Sequence, residues 1–246
     1  MEWNAALYDG SHGFVPAYGL EVLDMLGDLR RKSVLDAGCG TGVLTEEIYR
    51  RGGRALGVDA DENMLALARK KYPHLRFERR DLCDLGFTGA FDCVFSNAVL
   101  HWIKRQDKAL ENFYAALKPG GVLAAEMGGA GNADIVLSAL KNALAEAGAE
   151  YENAFYYRGE EFGSELEKAG FTVLEMRLFP RMTAMSGEDG LANWIRQFCP
   201  QALKAAGEQA DRVLDKVKSE VAEKLFFNGA WHVDYMRLRF KAIKEK

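Results

Sequence analysis

Residues 34–42, VLDAGCGTG, decide how this chain is read. They continue the apolar run Ser33–Ala37 (SVLDA), which is too short for a helix and reads as a buried strand. Gly38, Gly40 and Gly42 end that strand and open a run at helical spacing over 41–51, with Val43, Leu44, Glu47 and Ile48 in its middle. Glycine lets a backbone take positive φ and lets a ligand approach without meeting a Cβ. In open parallel sheets ligands bind outside the carboxyl ends of the strands, which is where this loop falls.

Working outward, the same alternation repeats. Residues 55–60 (ALGVDA) form a second strand, and ENMLALARKKY a strong helix that Pro73 stops. Residues 75–81 (LRFERRD) alternate as a third strand, and 91–97 (FDCVFSN) give a fourth. A helix over 107–117, a turn at Lys118-Pro119-Gly120-Gly121, a fifth strand over 121–127 and a helix over 133–148 follow. Strands alternating with helices of this length predict a doubly wound, mostly parallel α/β sheet covered on both faces.

Beyond this point the pattern changes. A short helix over 160–170 leads to a sixth strand over 172–181, and 187–227 interrupt the alternation with two helical segments. The second carries an apolar stripe through Val213, Leu214, Val217 and Val221 that reads as a docking face, in the ordinary case simply core, and the segment reads as a helical insertion that could cover the site. In the last strand, 233–243, Met236, Leu238, Phe240 and Ala242 alternate with Arg237, Arg239 and Lys241. Period-two alternation predicts antiparallel pairing or a sheet edge, with the charged face in solvent. A single domain over 1–246 is expected: an N-terminal helical lid over 1–28, a nucleotide-binding core over 29–181, a helical insertion over 182–230 and a final strand over 231–246.

Composition narrows the function. The 246 residues hold 48% hydrophobic and 28% charged side chains, enough for a real core. Lys plus Arg total 32 against 36 Asp plus Glu, a net charge of −4, so the electrostatic footprint of a general nucleic-acid binder is missing. No stretch approaches the ~18 apolar residues of a membrane span. The start, MEWNAALYDGSHGF, lacks a basic and then apolar leader, and the expectation is a cytoplasmic protein with no membrane partner. Cys39, Cys83, Cys93 and Cys199 show no CxxC spacing, the four histidines form no HExxH, and no metal is expected.

The glycine spacing is G-x-G-x-G, which departs from the dinucleotide G-x-G-x-x-G, and the phosphate-cradling G-x-x-x-x-G-K-[ST] is missing. Asp36 beside the loop suits a cationic ligand group better than a phosphate. Asp59 ends the second strand, where a carboxylate can accept from both hydroxyls of a ribose. Asp81, read as ending the third strand with Leu82 after it, is placed to accept an adenine amino group. Met64 either lies against the ring or packs in its own helix.

VLDAGCGTG, GVDAD at 57–61, RRDLCDL at 79–85 and LKPGGVLAAEM at 117–127 together resemble the class I S-adenosylmethionine-dependent methyltransferases. The resemblance runs from about residue 29 to 148, and NAVLHWI at 97–103 turns it toward the small-molecule group that includes trans-aconitate methyltransferase. It implies a seven-stranded sheet in order 3-2-1-4-5-7-6 with the last strand antiparallel, and S-adenosylmethionine as cofactor. Carried over by motif, Asp36, Ala37 and the loop Gly38, Gly40, Thr41, Gly42 would face the methionine part. Asp59 would hold the ribose, Ala60 and Met64 would flank the adenine, and Asp81 and Leu82 would take its polar edge and other face. Asn97, with Ala98 after it, would offer its backbone carbonyl to the cofactor's amino group.

Methyl transfer from a sulfonium is an in-line displacement in which alignment supplies up to ~7–11 kcal/mol. A general base is needed only where the acceptor must lose a proton, so no catalytic residue is named. The expected partner is a small-molecule acceptor, which a carboxylate would suit. His101 and Trp102 follow the fourth strand: His101 could orient or deprotonate an acceptor or cap the next helix, and Trp102 could wall a pocket or pack beneath that helix. His12, Phe14 and Tyr18 fold over the cofactor or dock an N-terminal helix. Arg181 or Arg196 could bind an anionic acceptor or pair at the surface, and Trp194 touches substrate or anchors the insertion. Ser96-Asn97-Ala98-Val99 replaces the Pro-Pro-aromatic sequence of amino-directed nucleic-acid enzymes, and Cys199-Pro200 reverses the Pro-Cys nucleophile of cytosine-carbon enzymes. A nicotinamide-dependent oxidoreductase and a non-catalytic cofactor-binding protein are the competing functions.

Overall fold

The computed structural model describes residues 14–245. One sheet runs through it in the order β3-β2-β1-β4-β5-β8-β6, with a short β7 paired only to β8. Its core is β1 (Ser33–Ala37), β2 (Arg54–Asp59), β3 (Arg76–Arg79), β4 (Phe91–Asn97) and β5 (Leu117–Gly128), each paired in parallel with its neighbour. The helices between them are α2 (Val43–Arg50), α3 (Glu62–Lys71) and α4 (Gln106–Ala116). Crossovers of this kind bury both faces, and β1 and β4 are accordingly buried almost throughout.

The described chain divides into two compact units, one holding the residues up to Gly129 with Tyr156–Leu178 and the residues from Leu238, the other Ala130–Phe155 and Phe179–Arg237. In the first, Leu35, Val94, Leu123, Phe113, Phe162 and Phe240 form a large core cluster. A second cluster is built on α1 (Phe14–Asp24), whose Val22 and Leu23 pack with Leu26, Leu29, Val34, Ile48, Phe95 and Ala124. Burying each such side chain contributes about 1.5–3 kcal/mol, so the second half of this helix belongs to the core. In the second unit, α5 (Asp134–Glu146) packs against α9 (Ala210–Leu225), whose Val213, Leu214, Val217 and Val221 are buried as the stripe predicts.

Several expectations are corrected. The sheet has eight strands rather than seven, because Phe226–Phe227 (β7) turn back on β8 (Ala230–Ile243) through Asn228 and Gly229, both at positive φ. Asn-Gly is the residue pair that such a tight hairpin favours. The predicted order survives with that one renumbering. Strand β8 lies inside the sheet, between β5 and β6 (Thr172–Ala184), as that order places it; of the two pairings the alternation allowed, it takes the antiparallel one and not the edge. It runs antiparallel to β5, since Gly120 and Gly121 bond Lys244 while Gly129 abuts Leu238. Its basic face is not solvated either: Arg237 and Arg239 are buried. Alternation separates two faces but does not say what covers the second, and here α1 reaches Arg239.

Smaller differences follow the same logic. The glycine-rich 118–121 turn belongs to β5, which begins at Leu117 with an irregular register opposite Phe91–Cys93. Strand β3 stops at Arg79, leaving Asp81 in a turn. The segment before β7 holds three helices, α7 (Gly190–Phe198), α8 (Pro200–Ala206) and α9, because Pro200 starts a new one; α6 (Phe162–Lys168) precedes β6. No described helix is long and apolar enough to cross a membrane.

Candidate active site

The glycine loop joins β1 to α2, and its three glycines are required for different reasons. Gly38, Gly40 and Gly42 all have positive φ (83°, 53° and 83°). A Cβ at Gly38 would strike the Val99 side chain, and one at Gly42 would lie 2.7 Å from the Phe77 ring. At Gly40 a Cβ would meet no atom of the described residues within 4 Å. Packing therefore accounts for two glycines, while the third faces space that the described residues leave open. The loop is fixed to β2: Gly38 and Cys39 donate to the Val58 carbonyl at 2.8 and 2.9 Å.

Asp59 takes part in that fixation. Its Oδ2 accepts from Gly40 N at 2.9 Å and its Oδ1 from Asp61 N at 2.9 Å. A carboxylate offers about four acceptor positions, so both oxygens retain capacity for a pair of hydroxyls. Burial raises the Asp59 carboxyl above its ordinary value, and the backbone hydrogen bonds from Asp61 and Gly40 oppose that rise. Asp61 caps α3, accepting from Asn63 N and Met64 N, which holds the buried Met64 in the helix's first turn. Ala60 is exposed, and its carbonyl accepts from Arg79. Asp81 is exposed too, with Oδ1 accepting from Cys83 N at 2.8 Å, while Leu82 joins the main core cluster.

Asp36, inside β1, is almost wholly buried. Burial pushes its carboxyl up to about 7, against the hydrogen bond from Thr45 and with help from the charge of Asp59. Thr45 Oγ1 donates to Asp36 Oδ2 at 2.6 Å. A buried carboxylate with one hydroxyl partner suits a cation arriving beside it. Thr41 is buried in the same loop, and Ser96 Oγ donates to the Ala37 carbonyl at 2.8 Å, tying the ends of β1 and β4 together. There Asn97 is buried, and Ala98 holds φ 59° with its N–H on the Glu126 carbonyl at 2.8 Å. A non-glycine residue in that region costs ~1–2 kcal/mol and marks a place where surroundings dictate the backbone.

His101 is 6% exposed, and its Nδ1 accepts from Gly128 N at 3.1 Å. A backbone N–H can only donate, so the neutral ring carries its proton on Nε2. In this tautomer Nε2 has no lone pair with which to act as a base. Its ring lies near those of Trp102 (5.4 Å) and Tyr157 (5.9 Å). Tyr18 is half-buried on α1, and His12 lies outside the described residues. Arg181 and Trp194 belong to the second unit. There Trp194 donates through Nε1 to the Tyr235 hydroxyl at 2.6 Å, and Arg181 sits 5.1 Å from the Phe179 ring. Arg196 faces Asp211 at 3.7 Å, a surface pair. Among the described residues no group of His, Cys, Asp and Glu could hold a metal.

Three participants escaped the sequence reading. Gln106 is buried, donating to the carbonyls of Leu100 and Tyr156 and accepting from Arg158 Nε at 2.7 Å. Glu126 and Arg239 form a buried pair. For these two a signal existed: a lone glutamate in the otherwise apolar GVLAAEM demands a partner.

A mostly parallel sheet in this order, a glycine loop between buried Asp36 and half-buried Asp59, and a left-handed residue just after β4 define a nucleotide-cofactor enzyme of the methyltransferase class. The methyltransferase domain family matches residues 35–125. The chain is 30% identical to "Uncharacterized methyltransferase C70.08c" of Schizosaccharomyces pombe over 99% of this chain and 98% of that one, and it belongs to the methyltransferase family. It is 36% identical to trans-aconitate 2-methyltransferase of Rhizobium meliloti, but that match spans only 52% of this chain and 50% of the relative. A phosphoethanolamine N-methyltransferase 2 structure from Haemonchus contortus, in complex with phosphomonomethylethanolamine and S-adenosylhomocysteine, has the same fold at TM-score 0.61 and 21% identity, covering 94% of this chain and 53% of that one.

Proposed function

We propose that this protein transfers a methyl group from S-adenosylmethionine to a small-molecule acceptor. The observation that carries the proposal is the paired acid cradle: Gly40 open to a ligand, with buried Asp36 on one side and Asp59, its lone pairs partly spare, on the other. Asp36 with Ala37, Gly38, Thr41 and Gly42 receives the cationic methionine end. Asp59 accepts from the ribose hydroxyls, Ala60 and Met64 flank the adenine, and Asp81 and Leu82 take its edge and far face. The Asn97 carbonyl, turned by the left-handed Ala98, accepts from the amino group.

When bound, the sulfonium supplies a methyl group already activated for displacement. The chain's own contribution is alignment and exclusion of water, which can supply ~7–11 kcal/mol without a base. His101, with Trp102 and Tyr18 near the same end of the sheet, holds its proton on Nε2 and so offers no base there. That favours an acceptor that loses no proton on methylation, such as a carboxylate. The named substrate of the Rhizobium relative, trans-aconitate, is of that chemistry.

The test is calorimetric titration with S-adenosylmethionine, S-adenosylhomocysteine and NAD, followed by a methyl-transfer screen of carboxylates, alcohols and amines. Binding of the two sulfur nucleotides with turnover on a carboxylate is expected. Binding of NAD alone would make the protein an oxidoreductase, and donor binding with turnover only on amines would remove the carboxylate class.

A further inference from the structure

Arg239 is 4% exposed, in the middle of β8. Taking a guanidinium out of water costs several kcal/mol unless good partners repay it, and two carboxylates among the described residues do so for Arg239. Its Nε donates to Glu126 Oε2 at 2.7 Å and its Nη2 to Glu21 Oε2 at 2.8 Å. Glu126 stands beside Asn97 in the β4–β5 register, and its own carbonyl holds the Ala98 N–H. Glu21 stands on α1, two residues after Gly19. A Cβ at Gly19 would lie 2.5 Å from Leu44 Cδ1 and 3.0 Å from Asn97 Nδ2, so α1 touches both the start of α2 and the end of β4. One side chain thus ties together the two elements that flank the Asn97–Ala98 peptide.

We propose that Arg239 is a positioning residue for the methyl donor: by bridging Glu21 and Glu126 it sets α1 and β5 about the Asn97–Ala98 peptide and so holds the carbonyl that receives the donor. This rests on the placing of the donor at Asn97 given above. Arginine suits the task because its planar fork spans two carboxylates in fixed geometry; lysine keeps the charge but not the span. Loss of the bridge to Glu21 alone should therefore cost donor affinity without much cost in stability, since Glu21 is largely exposed on its own helix.

Titration of S-adenosylhomocysteine and thermal melting, compared across wild type, Asp59→Asn, Glu21→Gln, Arg239→Lys and Arg239→Met, test this. The expected pattern is divergent. Arg239→Lys and Glu21→Gln melt near wild type yet bind about three- to tenfold more weakly, as loss of a charge-assisted contact predicts, while Arg239→Met loses both stability and affinity. A purely structural Arg239 would move melting and affinity together, so Lys and Gln variants that bind as wild type overturn the proposal, even if the Met variant does not fold. Should wild type not bind, or Asp59→Asn bind as tightly as wild type, the donor placement itself falls, and the inference with it. Should Asp59→Asn weaken binding while the Glu21 and Arg239 variants do not, the inference falls alone.

Discussion

Strands β1 and β4 carry charged groups at both ends, and the two ends treat them oppositely. At the amino end Asp92 accepts from Ser33 N and Ser33 Oγ at 2.7 Å each, and from Lys118 Nζ at 2.8 Å. Burial alone would raise this carboxyl, but the hydrogen bonds from Lys118 and Ser33 outweigh it and hold it at about 2. At the carboxyl end Asp36 has a threonine for a partner and, among the described residues, no cation, and burial pushes it up to about 7. The same strands thus end in a balanced polar cluster on one side and an unbalanced one on the other. A balanced cluster serves stability; an unbalanced buried carboxylate is kept where a ligand supplies the missing charge.

Exchanging the open glycine tests that contrast most severely. Gly40→Val should reduce S-adenosylhomocysteine affinity more than ~100-fold, by occupying the space it faces and straining a left-handed position. Gly38→Ala should instead chiefly lower the melting temperature, because Val99 stands in the way. If Gly40→Val still binds as wild type, the ligand lies elsewhere. Next comes Asp59→Asn, expected to weaken binding about 10–100-fold, the value of hydrogen bonds to a charged group at ~1.5–3 kcal/mol; an unchanged affinity in the folded variant removes Asp59 from the ribose.

The two ends should also separate by pH. Affinity for S-adenosylmethionine should fall by up to ~10-fold per unit below neutrality, because Asp36 must shed its proton to face a cation. With its folded carboxyl at about 7 against an ordinary 3.8, the native state holds the extra proton between those values. Ligand-free stability therefore falls as pH rises through that window, and Asp36→Asn should flatten both profiles. Asp92 has the opposite sign. Its depressed carboxyl contributes stability above the ordinary carboxylate range, and this is lost as pH falls from about 4 toward 2. Half-exposed as the pair is, Asp92→Asn should cost only ~1 kcal/mol at pH 7, roughly 2–4 °C in Tm. The difference should vanish near pH 2, and a loss that persists there would make the effect one of packing.

Much of this was legible in the chain itself, and what was not has a common cause. The glycine loop, Asp59 and the parallel strands are local patterns in which each residue's neighbours are its own sequence neighbours. Leu238, Phe240 and Ala242 faced the core as their alternation requires. The fate of Arg239 depended on Glu21, 218 residues away, and no period encodes such a partner. His101 is similar: its tautomer is set by a backbone N–H that arrives from Gly128, 27 residues later. The Asn228-Gly229 hairpin, by contrast, is written locally, directly after the stronger signal of the helical stripe.

The pairing of Glu21 with Arg239 also orders events during synthesis. At ~5–20 residues per second, the sequence separation of 218 takes roughly 10–40 s to emerge. Until then β5 and β6 each lack the neighbour that finally lies between them, and Glu126 waits in a nascent sheet without its counter-charge. A ribosome that stalls after β6 therefore leaves two strand edges without β8 and Glu126 without Arg239, a species that quality-control machinery or aggregation would meet before any ligand does.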